Sequence, residues 1–203
     1  MPQSAPPLPR ALWALMLGNF VIGTGVMAVP GTLPDISASL GVSIPQAGQL
    51  ITAAAIVMGI GAPLFATVVA GWDRRGLLVL FLLWYAVFMG ASGLAPTYGS
   101  LLLLRVLAVI PPAIFTPQAA ACVGQLVPAG QGGRAITFVF LGWSVASVLG
   151  MPLSAWIGGV LGWRWAFGLV AVLGGLAAAR RWREEPDGLE TAPPRPPAPE
   201  SLR

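Results

Sequence analysis

Charge is what this chain has least of. Only 9% of its 203 residues are Asp, Glu, Lys or Arg, against about 25% in soluble domains. A soluble fold of this size could not cover its surface with so few charges, which leaves lipid as the solvent. Lysine and histidine are absent, so every positive charge is an arginine. Without histidine, neither a Ser–His nucleophile pair nor a zinc site of the usual kind can be built, so no enzyme activity, metal or cofactor is expected. A G-x-x-x-x-G-K-[ST] phosphate loop is also missing, which leaves nucleotide-driven work unsupported. One cysteine, Cys122, excludes an intrachain disulfide; it sits in an apolar run and reads as a small buried hydrophobe. The net charge of +4 does not signal nucleic acid, because the arginines lie between apolar runs rather than on one polar face. No aspartate or glutamate falls inside an apolar run, so no helix is expected to carry a carboxylate.

What remains is 56% hydrophobic and falls into six apolar runs. They span Ala11 to Val29, Leu50 to Ala70, Leu77 to Ala95, Leu101 to Val123, Ile136 to Leu161 and Trp165 to Ala179. The first five approach the roughly 20 residues a helix needs to cross hydrocarbon. The sixth is shorter, and its ends are expected to use Trp163, Trp165 and Trp182 at the interfaces. Helices are the reading, since an open strand would leave backbone groups unpaired in lipid and the alternation of a barrel is absent. The first run is too long for a cleavable signal peptide and lacks a small-residue cleavage site after it. Arg10 precedes the first run, Arg74 and Arg75 follow the second, Arg134 the fourth, and Arg180, Arg181 and Arg183 the sixth. Only Arg164 lies at the opposite ends. The positive-inside rule then predicts six crossings with both termini cytoplasmic.

The chain divides into a short proline-rich segment over 1–10, a transmembrane bundle over 11–183 and a second proline-rich segment over 184–203. That last segment has almost no apolar residues and is expected to be a disordered cytoplasmic tail. Inside the bundle a pattern recurs. The second run carries Gly61-Ala62-Pro63-Leu64-Phe65-Ala66 and the fifth Gly150-Met151-Pro152-Leu153-Ser154-Ala155. Each ends in Gly-Trp and an arginine-bearing turn, at Gly71-Trp72-Asp73-Arg74 and Gly162-Trp163-Arg164. Runs three crossings apart point in opposite directions, which predicts a 3+3 inverted repeat.

These residues resemble the N-terminal half of a major facilitator superfamily transporter. Gly71-Trp72-Asp73-Arg74-Arg75-Gly76 is similar to a shortened form of the signature between that family's second and third helices. Arg105 matches its intramembrane arginine in helix four. Gly142 through Gly150-Met151-Pro152 to Gly158-Gly159 resembles helix five of the antiporter branch. Gly23-Thr24 followed by Gly31-Thr32-Leu33-Pro34 resembles helix one of bacterial arabinose-efflux-like and drug-efflux permeases. The chain also departs from the pattern. Gly25 and Val26 stand where such antiporters often carry an acid, and Ala108 and Val109 replace the usual glutamine and glycine after the helix-four arginine. The family has two halves where this chain has one.

The resemblance implies alternating-access export of a small organic solute across a bacterial inner membrane, by one half that needs a second half or a homodimer. The alternative is a truncated, non-transporting membrane protein or a subunit that only packs; a premature end or a frameshift in a longer gene would produce one. Asn19 and Arg105 are the leading cavity candidates, because amide and guanidinium groups are costly in lipid. Gln118, Ser144 and Ser147 are weaker ones. The resemblance assigns a gating role to Gly71, Asp73, Arg74, Arg75, Gly76 and Arg134, with Asp73 also suited to a helix N-terminus. Gly61, Pro63, Gly142, Gly150, Pro152, Gly158 and Gly159 are expected to serve close packing or hinging. Pro111 and Pro112 are expected to break the helix-four hydrogen-bond ladder.

Overall fold

A computed structural model describes residues 10–68, 74–127 and 130–184. Within them lie six helices and no strand: α1 Arg10–Leu40, α2 Ile44–Val68, α3 Arg74–Gly93, α4 Tyr98–Leu126, α5 Gly132–Leu161 and α6 Trp163–Glu184. The first five contain stretches long and apolar enough to cross a membrane. α6 does not reach that mark, because arginines crowd both of its ends. The terminal proline-rich segments, Gly71, Trp72 and Asp73 lie outside the described residues.

The largest departure from the apolar runs is α1. It continues past Val29 through Pro30 and Pro34 to Leu40 as one helix. The expectation that no helix carries a carboxylate is therefore overturned, since Asp35 lies within α1. Proline ends a helix readily in water. Between packed helices the freed backbone groups are covered by neighbours and by local side chains, so the helix persists. The carbonyls left free are those of Val26 and Pro30; the hydroxyls of Thr24 and Thr32 bond instead to the carbonyls of Phe20 and Ala28, at 2.8 and 2.7 Å. α2 likewise begins before its apolar run. Gln46 and Gln49 belong to its first turns and face outward, where the Tyr98 hydroxyl donates to the Gln46 carbonyl at 2.6 Å.

α1 is the central strut, with Leu12, Leu15, Val21, Ile22, Ala28, Val29 and Ile36 all inaccessible or nearly so. Its main neighbours are α5 and α6, while α4 packs chiefly on α2 and α3, and α3 and α6 join the two groups. The α1–α5 seam is built from small residues. The buried face of α5 includes Gly142, Ala146, Gly150, Ser154 and Gly158, one at every fourth position, which is one face of a helix. A Cβ at Gly142 would run into the Met16 carbonyl oxygen and come within 2.9 Å of the Phe20 nitrogen; one at Gly150 would lie 3.2 Å from Thr24 Cα. Lipid offers no hydrophobic drive between helices, so this close backbone approach, with its dispersion contacts, holds the seam. Gly159 departs from the packing expectation. It is exposed, and a Cβ there would meet nothing within 4 Å.

α4 contains Pro111, Pro112 and Pro117 yet remains one helix, which corrects the expected break. Pro111 has no N–H for the Leu107 carbonyl four residues earlier. The indole Nε1–H of Trp84, on α3, donates to that carbonyl instead, at 2.9 Å. A neighbouring helix thus replaces the lost rung.

Candidate functional site

Polar groups inside this bundle are few, so each one marks a place where apolar packing was given up. Asn19 on α1 is fully buried. Its Oδ1 accepts from the Thr116 hydroxyl of α4 at 3.2 Å, and its Nδ2 finds no partner among the described residues. Beside it, Gly18 lets the Phe115 ring of α4 close onto α1; a Cβ at Gly18 would collide with that ring. The α1–α4 crossing is therefore tight around one amide that is only half satisfied.

Arg105 of α4 forms the second polar centre. It is 2% exposed, so it does not reach toward the membrane surface but turns into the bundle. One terminal nitrogen lies 3.4 Å from the Met89 sulfur, and its Nε finds no partner among the described residues. Tyr85 of α3 supplies the other contact: its hydroxyl interacts with Arg105 and donates to the Ile22 carbonyl of α1 at 3.2 Å. Tyr85 reaches α1 because residue 25 is glycine, and a Cβ there would overlap the Tyr85 hydroxyl. The position after Gly-Thr, noted in the sequence for its missing acid, is thus filled by a phenol from α3. No carboxylate among the described residues neutralises Arg105, and a guanidinium held in this way keeps a strong positive field in a low-dielectric core.

The remaining candidates are scattered. Gln118 is partly exposed on α4. Ser144 and Ser147 are exposed on α5, each hydroxyl turned back to its own helix, at the carbonyls of Phe140 and Trp143. None of the three joins Asn19 or Arg105. Of the loop residues, Gly71 and Asp73 are outside the described residues, Arg74, Arg75 and Gly76 open α3, and Arg134 is exposed in the first turn of α5. Sequence reasoning missed Tyr85 and Thr116. Tyr85 did leave a signal, as one of only two tyrosines in the chain and the one inside an apolar run. Nothing marked Thr116 beyond its being a hydroxyl near two prolines.

Comparison with known proteins identifies the family. The family model described as Major Facilitator Superfamily matches residues 15–203. The chain is 32% identical to the inner membrane transport protein YdhP of Escherichia coli, over 87% of this chain and 46% of that one. It is 36% identical to a chloramphenicol resistance protein of Streptomyces lividans, over 81% of this chain and 42% of the relative. It is 32% identical to a chloramphenicol efflux pump of Mycobacterium tuberculosis, over 85% and 41% of the two chains. The chain spans about half the length of these relatives. Six helices around a buried arginine, with a family match over nearly the whole sequence, give one conclusion: the chain belongs to the Major Facilitator Superfamily.

Proposed function

We propose that this chain forms one six-helix half of an efflux transporter for a small organic solute, and that it moves solute only when paired with a second half or a second copy of itself. The observation that carries this reading is the exposed side of α2 and α5, whose most apolar stretches are only 17% and 22% buried, against half or more in α1, α3 and α4. Ile51, Ile56, Ile60 and Leu64 on α2, and Val145, Val148, Leu149 and Trp156 on α5, are all at least 40% exposed. A second bundle seated on that face would enclose a midplane path, as alternating access requires. On this reading Ser144 and Ser147, exposed on the same helix, and Gln118 are available to solute. Asn19 and Arg105 act from behind the wall, through the α1–α4 crossing and the field of the guanidinium. The loop from Gly71 to Gly76, with Arg134, gates the cytoplasmic end.

An inverted 3+3 repeat is part of the same proposal. Exchanging α1 with α4, α2 with α5 and α3 with α6 maps the main packing pairs onto one another: α1 on α5 onto α4 on α2, and α1 on α6 onto α4 on α3. The repeated glycines follow the exchange. Gly61 of α2 faces Ala113 of α4, while Gly150 of α5 faces Thr24 and Met27 of α1. With alternating crossings and α6 completing the span, the arginine-rich ends lie in the cytoplasm of a bacterial cell.

Chloramphenicol is the first solute to test, since two relatives carry it in their names. The chain is purified in mild detergent, its mass in the micelle measured, and its flux followed in liposomes alone and with a complementary half. Flux only from the dimer or the two-half assembly is the expected result, and a monomer that moves solute would overturn it. A stable chain inert in every assembly would favour the alternative of a packing subunit. Reporter fusions at Gly41, Pro96 and Gly162 should read outside, and at Gly130 and Arg183 inside; one reversed reading breaks the six-crossing scheme.

A further inference from the structure

A cavity of about 500 Å³ opens at the end of the bundle where α1 leads into α2 and α5 leads into α6. Its lining includes Asp35, Ser39, Gly158, Trp163, Arg164 and Trp165. Asp35 is only partly exposed, yet its carboxylate makes no hydrogen bond or ion pair to any described residue. Arg164, the cation beside it, keeps its charge but is drawn to neutral groups. It donates to the Ser39 hydroxyl at 3.3 Å and the Ala95 carbonyl at 3.0 Å, and lies over the Trp163 ring at 4.3 Å.

Two further features single out the carboxylate. It stands in the last turns of α1, where the unpaired carbonyls of a helix end already make the field negative. α5 also makes room for it: a Cβ at Gly158 would lie 2.7 Å from Asp35 Oδ2. A carboxylate is thus held against the local field, without a partner, at the mouth of a cavity. A bound cation would offset that field and give the carboxylate a partner.

We propose that this cavity binds a small organic cation carrying a quaternary or alkyl-substituted ammonium group. Asp35 supplies the charge, the exposed indole of Trp165 a face for cation–π contact, and Leu161 part of the apolar wall. A metal ion does not fit, because one carboxylate is the only acid in the lining and hard cations need several oxygen ligands. The site is a binding site of the chain itself and holds whether or not the chain moves solute.

Choline is the probe, with dimethylbutanol as its uncharged carbon isostere, titrated into the purified chain in neutral detergent at constant ionic strength and followed by calorimetry and tryptophan fluorescence. Saturable binding of choline and none of the isostere is expected. Asp35→Asn should weaken binding by about tenfold or more, the scale of a lost charged contact, and Trp165→Leu by several-fold. Equal binding of choline and the isostere to the parent chain would overturn the proposal, as would parent-like affinity in a well-folded Asp35→Asn. Trp165 is 65% exposed, so its replacement leaves the fold intact and tests the site even if the Asp35 variant does not fold.

Discussion

Replacing Gly142 by alanine should push α1 and α5 apart. The added Cβ would overlap the Met16 carbonyl oxygen and lie 2.9 Å from the Phe20 nitrogen and 3.0 Å from the Met16 carbonyl carbon. All three are main-chain atoms of a buried helix, so no side-chain rotation relieves the clash and the helices themselves must move. The same methyl favours the helix by up to ~1 kcal/mol through propensity. Overpacking a tight site costs ~1–3 kcal/mol, and the loosened seam also forfeits dispersion contacts at Ala146 and Gly150. A net loss of about 1–2 kcal/mol is expected. Gly159→Ala is the internal control, because its Cβ would meet nothing within 4 Å; there the propensity term acts alone and stability should hold or rise by up to ~1 kcal/mol. Reversible unfolding in mixed micelles, titrated with a denaturing detergent and followed by far-ultraviolet circular dichroism, measures both variants against the parent. Equal stability of the two alanine variants would refute the seam as described.

Other substitutions probe the polar interior. Trp84→Phe keeps the ring but removes the donor to the Leu107 carbonyl, and should cost about 1 kcal/mol, as interhelical hydrogen bonds in membranes do; exchange of the backbone amides near Pro111 should speed up. Thr116→Val leaves Asn19 with no partner at either end of its amide, and should lower stability by about 1–2 kcal/mol in the same unfolding assay. Arg105→Met replaces a buried cation by an apolar chain of similar length. Stability should be unchanged or higher by about 1 kcal/mol or more, while flux in the two-half assembly is lost; retained flux would remove Arg105 from the mechanism.

The membrane class was legible because it rests on composition. A chain with so little charge has only lipid as a solvent, and apolar runs in lipid must be helices, whatever their tertiary partners. The family was legible in the order of Gly23-Thr24, Arg105 and the glycine–proline pattern of Gly150 to Pro152. The end of α1 was misread because proline and glycine punctuate chains in water, and Pro30-Gly31 with Pro34-Asp35 reads as a stop. Whether such a stop takes effect depends on what covers the freed backbone, which lies in other helices. α4 illustrates the same dependence, since Trp84 comes from a different element.

Helix number, the positions of the small residues and the presence of an intramembrane arginine were thus determined by the sequence alone, because each follows from residue type and one-dimensional order. Their facing was not. Asn19 is buried where α1 crosses α4, against Thr116, and Arg105 where α4 packs on α3, against Met89. A helix presents every direction around its axis, and only the choice of neighbours decides which side is buried. That choice also brought Tyr85 to Gly25 and set Asp35 unpaired beside Gly158, residues far apart in the chain whose meeting depends on how closely two backbones approach.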